Sequence, residues 1–373
     1  MASINRAVAY IDLGILEENY KIIKSKLSSE TGVLCVVKAD AYGHGAIEVS
    51  RRLESLGVLY LGVATIDEAV ELRVNNINSP ILVMSGIMPW DDVSVFHHHS
   101  ITPVVYDLSV LTRLCSMAKG FRIPLKIHLK FDTGMGRLGF MPDDAAVVMD
   151  RLEHSENIQV EGIMSHFSSS ETRDEYGIGQ VNTFKSVTEH FIKGGFEPAI
   201  IHMANSGAII NYPEAHFNMI RTGISLYGSH SSKELKKLLP TRPVMKFASR
   251  VALIREFPQG FALSYGRTYV TTEKTKVAYI PVGYADGYLR ALSNKGSVLI
   301  HDRRHNVIGR ICMDWFLVDI TDNEEVTVND EVILLGESIT NCISADEIAE
   351  ITKTIPYEIL CKISKRVIRK YQW

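Results

Sequence analysis

The chain has 373 residues, of which 46% are hydrophobic and 22% charged, with a formal net charge of −3 at pH 7. That length predicts two or three domains, each able to bury a core without disulfide staples. The near-neutral charge gives no electrostatic reason to expect nucleic acid or an anionic membrane as a partner. The five cysteines, Cys35, Cys115, Cys312, Cys342 and Cys361, form no CxxC pair. Their odd number fits the reduced thiols of a cytoplasmic protein better than a disulfide framework. Residues 1–13 alternate polar and apolar side chains, so no signal peptide is expected, and no apolar run is long enough to span a bilayer.

In chain order, Leu16, Tyr20, Ile23 and Leu27 keep the i, i+3/i+4 spacing of one helix face. Short apolar runs follow at 33–38, 59–63, 81–84, 102–105, 125–130, 160–165, 200–203 and 218–221. Segments of helical periodicity separate most of them, as at Val181, Phe184, Val187 and Phe191. Alternating units of this kind predict an α/β fold, a (β/α)8 TIM-like barrel, with a doubly wound sheet as the alternative. The run His97, His98, His99 resembles a metal tract, but consecutive side chains diverge, so it is read as surface and no metal is expected.

Beyond Lys237 the period changes to two, at 244–251, 276–281, 297–300 and 330–335, with turn signals at 258–260 and 294–296 between the runs. A mainly β C-terminal domain is expected there, with a short helix near 345–351. The expected division is a barrel over 1–238 and a β domain over 239–373, with 240–243 as the junction. The first few residues are free to pair with the β domain.

If the barrel forms, the site lies at the C-terminal ends of its strands. Lys38 ends the first apolar run and is followed by a loop containing Gly43 and Gly45. A lysine emerging from an apolar strand into a crowded pocket loses its proton readily and becomes a nucleophile. The alternative is a strand-end lysine that snorkels to solvent. Ser206, Gly207, Gly223 and Ile224 fall after the seventh and eighth strands, where such barrels often bind phosphate through backbone N–H groups and a hydroxyl. Ordinary turn chemistry is the alternative for these residues. A lysine and a phosphate cradle across one barrel mouth are what a pyridoxal 5'-phosphate site requires.

The strings VKADAYGHG at 37–45, DTGMGRLG at 132–139, IRTGISLYG at 220–228, LSYG at 263–266, VGYADG at 282–287 and ICMD at 311–314 together resemble the alanine racemase family. Their order and spacing cover essentially the whole chain. The resemblance implies a barrel-plus-β homodimer with shared active sites, interconverting L- and D-alanine and supplying D-alanine for peptidoglycan. By the same resemblance, Lys38 carries the cofactor in imine linkage. Tyr42, Ser206, Gly223, Ile224 and Tyr357 surround its phosphate, Arg221 faces the ring nitrogen, and His166 bonds Arg221. Arg137 and the backbone N–H of Met313 hold the substrate carboxylate. Tyr265 enters from the other subunit, and Tyr284, Arg290 and Arg310 match the substrate entryway. Lys130 matches a lysine often carbamylated in the family, with an unmodified lysine facing a neighbouring acid as the alternative. The string FSSSE at 167–171 departs from the family's smaller apolar residues and aspartate, and is expected to touch the entryway only.

Racemisation removes a proton from one face of Cα and returns it on the other, so a second base must stand opposite the lysine. Lys38 suits one face and Tyr265 the other. A serine or broad-specificity racemase, a decarboxylase of this fold, a non-catalytic cofactor carrier and a sugar-phosphate barrel enzyme are the competing readings.

Overall fold

The computed structural model describes residues 5–230 and 232–373. The segment read for a leader therefore lies partly outside the described residues. Its remainder forms β1 (Ala7–Asp12). Asp12 ends that strand and starts the helix Leu13–Lys24, its Oδ1 accepting the Ile15 N–H at 2.9 Å. This is the N-cap chemistry that satisfies an orphan donor at a helix start. Leu16 and Ile23 on the expected face are buried.

Eight strands then close a barrel: β2 (Gly32–Val36), β3 (Tyr60–Val63), β4 (Ile81–Val83), β5 (Thr102–Val105), β6 (Leu125–Lys130), β7 (Ile158–Met164), β8 (Ile200–His202) and β9 (Met219–Thr222). Neighbours pair in parallel around the ring, and β9 returns to β2 with Leu34 opposite Arg221. Closure decides against the doubly wound alternative. All eight expected runs become strands, with ends displaced by two residues at most. The largest difference in consequence is at β2, which stops at Val36. Lys38 does not prolong the strand, because Ala39, Asp40, Ala41 and Tyr42 all take left-handed backbone angles, with φ of 52–55°.

The second unit is a ten-stranded sheet. Its strands are β10 (Met245–Arg250), β11 (Leu253–Phe257), β14 (Thr275–Ile280), β15 (Ser297–Ile300), β16 (Arg303–Ile308), β17 (Phe316–Asp319), β18 (Glu331–Glu337), β19 (Cys342–Ile343) and β20 (Ile368–Gln372), joined by β1. β12 (Ala262–Leu263) and β13 (Tyr269–Val270) pair separately. β1 lies between β10 and β20, antiparallel to the first and parallel to the second. The opening of the chain thus clamps the second unit before the barrel begins. The helices Ala345–Thr352 and Pro356–Cys361 follow β19, and one hydrophobic core runs from the barrel into the sheet. Among the described residues no helix is long and apolar enough to cross a membrane, and no group of three or more His, Cys, Asp or Glu could hold a metal ion.

Candidate active site

The mouth of the barrel opens on a cavity of about 410 Å³. Lys38 enters it from the left-handed turn after β2. Left-handed geometry costs an L-residue about 1–2 kcal/mol, so four consecutive residues need outside anchors. Glu68 supplies one, accepting the Ala39 N–H at 2.7 Å while its other oxygen accepts the Ala64 N–H beyond β3 at 2.7 Å. Asp40 Oδ1 accepts the Ala46 N–H at 2.8 Å, and Arg369 of β20 donates Nε–H to the Gly43 carbonyl at 3.1 Å. The turn delivers Tyr42 against Tyr227 and Tyr357, with ring centroids 5.1 and 5.9 Å away. Burial, and then the neighbouring Arg137 guanidinium, push the Lys38 ammonium below its ordinary range, against the pull of Glu68. A neutral amine is thereby favoured at the position that needs a nucleophile.

Lys130 ends β6 and lines the same cavity. Burial and the charges of Arg137 and Arg221 lower it to about 8, outweighing Asp132. The loop beyond it is folded around the Asp132 carboxylate. Oδ1 accepts the N–H groups of Gly134, Met135 and Gly136 at 2.9, 2.7 and 3.1 Å, and Oδ2 accepts that of Arg137 at 2.8 Å. Gly139, at φ +148°, lets the chain return past Asp132; a Cβ there would stand 2.3 Å from the Asp132 nitrogen. These contacts place Arg137 at the cavity wall.

Arg221 on β9 is 3% exposed. Among the described residues its hydrogen bonds run to three carbonyls, those of Ser165, His202 and Met203, and to two imidazoles. NH2 donates to His166 Nδ1 and NH1 to His202 Nδ1, each at 3.0 Å. A guanidinium only donates, so both rings must accept at Nδ1 and carry their proton on Nε2. Burial, then Arg221 and Lys130, push His166 well below its usual range, and it is neutral. Burial lowers Arg221 to about 9, which leaves it charged at neutral pH.

The remaining wall suits a phosphate. Ser206 Oγ accepts the Gly223 N–H at 3.1 Å. A Cβ on Gly223 would stand 2.8 Å from the Tyr42 hydroxyl, so the cradle depends on a bare backbone there. The single turn Ile224–Tyr227 begins at this point, and Tyr42, Ser206 and Tyr357 line the cavity with it. Lys38, Lys130, Arg137 and Arg221 bring four basic side chains to a cavity whose lining holds one carboxylate, Glu171. Pyridoxal phosphate fits these residues: a desolvated amine at one end and an anion cradle at the other.

Five other expected residues stand apart from the cavity. Tyr265 is 71% exposed, Met313 53% and Tyr284 43%, all on the second unit, as are Arg290 and Arg310. Tyr265, Tyr284 and Met313 form one cluster. The Ser264 hydroxyl donates to the Arg310 carbonyl at 2.6 Å, and Tyr284 and Ala285 N–H groups bond the Cys312 and Met313 carbonyls, each at 3.1 Å. One expectation is corrected: Ser170 and Glu171 line the cavity itself and are not confined to its approach. The loop after β7 curls inward because Ser170 Oγ bonds Asn205 Oδ1 at 2.7 Å and Asn211 holds the carbonyls of both residues. Sequence reasoning also passed over Glu68. Its signal was present, since Thr65 and Glu68 form a capping box that starts the helix Ile66–Val74.

A lysine nucleophile and a phosphate cradle facing each other across a parallel barrel define the class: a pyridoxal-phosphate enzyme of barrel fold. Comparison with known proteins narrows it. Residues 11–231 match the model for the alanine racemase N-terminal domain, and 244–371 that for the alanine racemase C-terminal domain. The chain is similar to an alanine racemase of Halothermothrix orenii, 41% identical over 98% of this chain and 96% of that one. Its fold matches the solved alanine racemase of Clostridium difficile 630 with a TM-score of 0.92 at 39% identity, over 98% and 96% of the two chains. It matches that of Bacillus anthracis, solved with bound L-Ala-P, with a TM-score of 0.92 at 32% identity, over 100% and 96%. The chain belongs to the alanine racemase family and is a pyridoxal-phosphate-dependent isomerase.

Proposed function

We propose that this chain exchanges the Cα proton of alanine between two bases, Lys38 and Tyr265 of the partner subunit, in a homodimer whose two sites are each built from both chains. The observation that carries this reading is the separation of Tyr265 from Lys38 within one chain. Tyr265 stands exposed on the second unit while Lys38 lines the barrel cavity, so an opposed pair requires a second copy. Other large apolar side chains of the second unit, Phe261, Val270 and Trp315, are also exposed, which suits a surface covered by another chain.

Pyridoxal phosphate, when bound, supplies the electron sink that makes the Cα–H of alanine acidic. Lys38 Nζ would hold the cofactor, and Tyr42, Ser206, Gly223, Ile224 and Tyr357 would hold its phosphate. Arg137 orients the substrate carboxylate, helped by the N–H of Met313. Lys38 Nζ would take or return the proton on the D-alanine face, and the Tyr265 hydroxyl would do so on the L-alanine face. Arg221, charged and without a proton it gives up readily, would face the ring nitrogen and leave it unprotonated. His166 presents its Nε2–H to the site because Arg221 occupies Nδ1. Lys130 at about 8 has enough free amine near neutrality to take up carbon dioxide, and its carbamate anion would hold Arg137. Tyr284, Arg290 and Arg310 line the entry. The reading places the domain boundary at 238/239, after the helix Lys233–Leu238. It also places the enzyme in the cytoplasm, where five free thiols are at home.

The test mixes two inactive variants, Lys38→Ala and Tyr265→Ala, and allows subunits to exchange. With shared sites, each heterodimer has one intact site and recovers about half of the wild-type activity, since acid–base residues act only together in one site. Exchange demonstrated by mass spectrometry with no recovery refutes the shared site.

A further inference from the structure

Strand β6 reads LKIHLK, and alternation puts Lys126, His128 and Lys130 on one face. Lys130 ends at the cavity. His128 and Lys126 continue the same row down toward the floor of the barrel. There they meet Glu161 of β7, 9% exposed, which bonds the Lys126 ammonium at 2.6 Å and accepts the hydroxyl of Tyr60 from β3. Side chains from strands this far apart around the ring meet only inside it.

A column of polar groups joins this floor to the site. Arg221 NH1 donates to His202 Nδ1 at 3.0 Å, and His202 Nε2 lies 2.9 Å from His128 Nδ1. The guanidinium is donor-only, so the direction of each bond is set. His202 accepts at Nδ1 and donates from Nε2, and His128 accepts at Nδ1 and carries its proton on Nε2. That last N–H is buried without a hydrogen-bond partner at bonding distance, and Glu161 Oε2 faces it at 3.6 Å. Against desolvation, which raises it, His128, Lys126 and Tyr60 bring the Glu161 carboxyl down to about 2. It is an anion at the foot of the column.

The backbone is built for this arrangement. The β6–β7 register runs Ile127 to Val160 and then His128 to Gly162, so Glu161 is the extra residue of a bulge. Bulges re-aim a side chain. A Cβ on Gly162 would stand 2.7 Å from the His128 ring, so only glycine leaves room for the imidazole.

We propose that Glu161 is a positioning residue for the racemase site, its carboxylate terminating the His128–His202 column and thereby fixing the place of the Arg221 guanidinium. The proposal rests on the reading that Arg221 faces the cofactor ring. Arg221's own hydrogen bonds go to carbonyls and imidazoles, and Glu161 is the carboxylate that its imidazole chain reaches. Without the Glu161 carboxylate, no anion faces the buried His128 N–H, the ring turns toward another acceptor, and His202 loses the partner that holds it beneath Arg221.

The test uses the pyridoxal-phosphate-loaded enzyme with ¹⁵N-labelled histidine. In the wild type, both His128 and His202 should carry the proton on Nε2 and none on Nδ1. A proton on Nδ1 of either ring overturns the column, and this measurement needs no variant. Glu161→Met should shift the nitrogen resonances of both rings and move the cofactor's absorption band. It should lower kcat about tenfold while KM for alanine changes less than threefold. Glu161→Gln, which keeps an acceptor, should recover part of each effect. Arg221→Lys separates the two readings. If it leaves the band in place, the position of Arg221 at the ring is wrong. If it moves the band and Glu161→Met does not, the role of Glu161 is refuted.

Discussion

Substitution of Asp132 by asparagine tests how the Arg137 loop is held. The change alters one atom, yet the four N–H groups around the carboxylate leave the amide no good orientation. With its oxygen on the side of Gly134, Met135 and Gly136, its NH₂ faces the Arg137 N–H, which the carboxylate now accepts at 2.8 Å. With the amide turned over, three donors meet an NH₂ instead of one, so the first orientation prevails. A hydrogen bond to a charged group contributes about 1.5–3 kcal/mol, and a stranded donor costs about 1–3 kcal/mol. The loop is part-exposed, so the lower part of that range, about 1–2 kcal/mol, is expected. If this is expressed as displacement of Arg137, KM for alanine should rise roughly 5- to 30-fold, at about 1.4 kcal/mol per decade, with kcat changed far less. Gly139→Ala should have the same kinetic signature by a steric route, because its Cβ would press on the Asp132 nitrogen. Steady-state kinetics in both directions, with urea unfolding in parallel, would decide. A KM within twofold of wild type for both variants would show that the loop does not place Arg137.

Three further outcomes follow from the site. Protein equilibrated with ¹³C-bicarbonate should show a carbamate resonance that is lost in Lys130→Ala; its absence from the wild type would leave Lys130 unmodified. In carbon dioxide-free buffer, without cofactor, Lys130 at about 8 instead of its ordinary 10.5 means that the unfolded chain binds the extra proton between those values. The stability of wild type relative to Lys130→Met should therefore rise with pH from about 8 to 10.5, and a flat difference in urea midpoints would contradict the burial argument. Arg221→Glu should permit protonation of the cofactor ring and increase pyruvate formation relative to racemisation, and an unchanged ratio would count against the assigned place of Arg221.

The sequence by itself determined the strands of the barrel, because a parallel strand buried on both faces must be a short apolar run and the helices between must keep a 3.6-residue period. It also determined the strings that carry Lys38, Arg137, Arg221 and Tyr265, since glycine and aspartate at fixed offsets are what a tight loop requires. β11, β12, β13, β16, β17, β19 and β20 escaped it. β20, with the pattern IRKYQ, is largely exposed and is a strand because β1 is there to pair with it. Pairing of that kind is a long-range fact with no local trace. The same holds within the site. Tyr42 and Tyr357 are 315 positions apart, and they meet because the helix Pro356–Cys361 packs on the turn after Lys38. The left-handed turn was hidden as well, since Ala39, Ala41 and Tyr42 have no intrinsic preference for it. Glu68 and Arg369 impose it from elsewhere in the chain, and Asp40 ties the turn to Ala46. The polar row of β6 was visible as letters, but its meaning depended on which residues faced it across the closed barrel. Tertiary structure decided that, because hydrogen-bond direction, burial and charge are properties of neighbours in space.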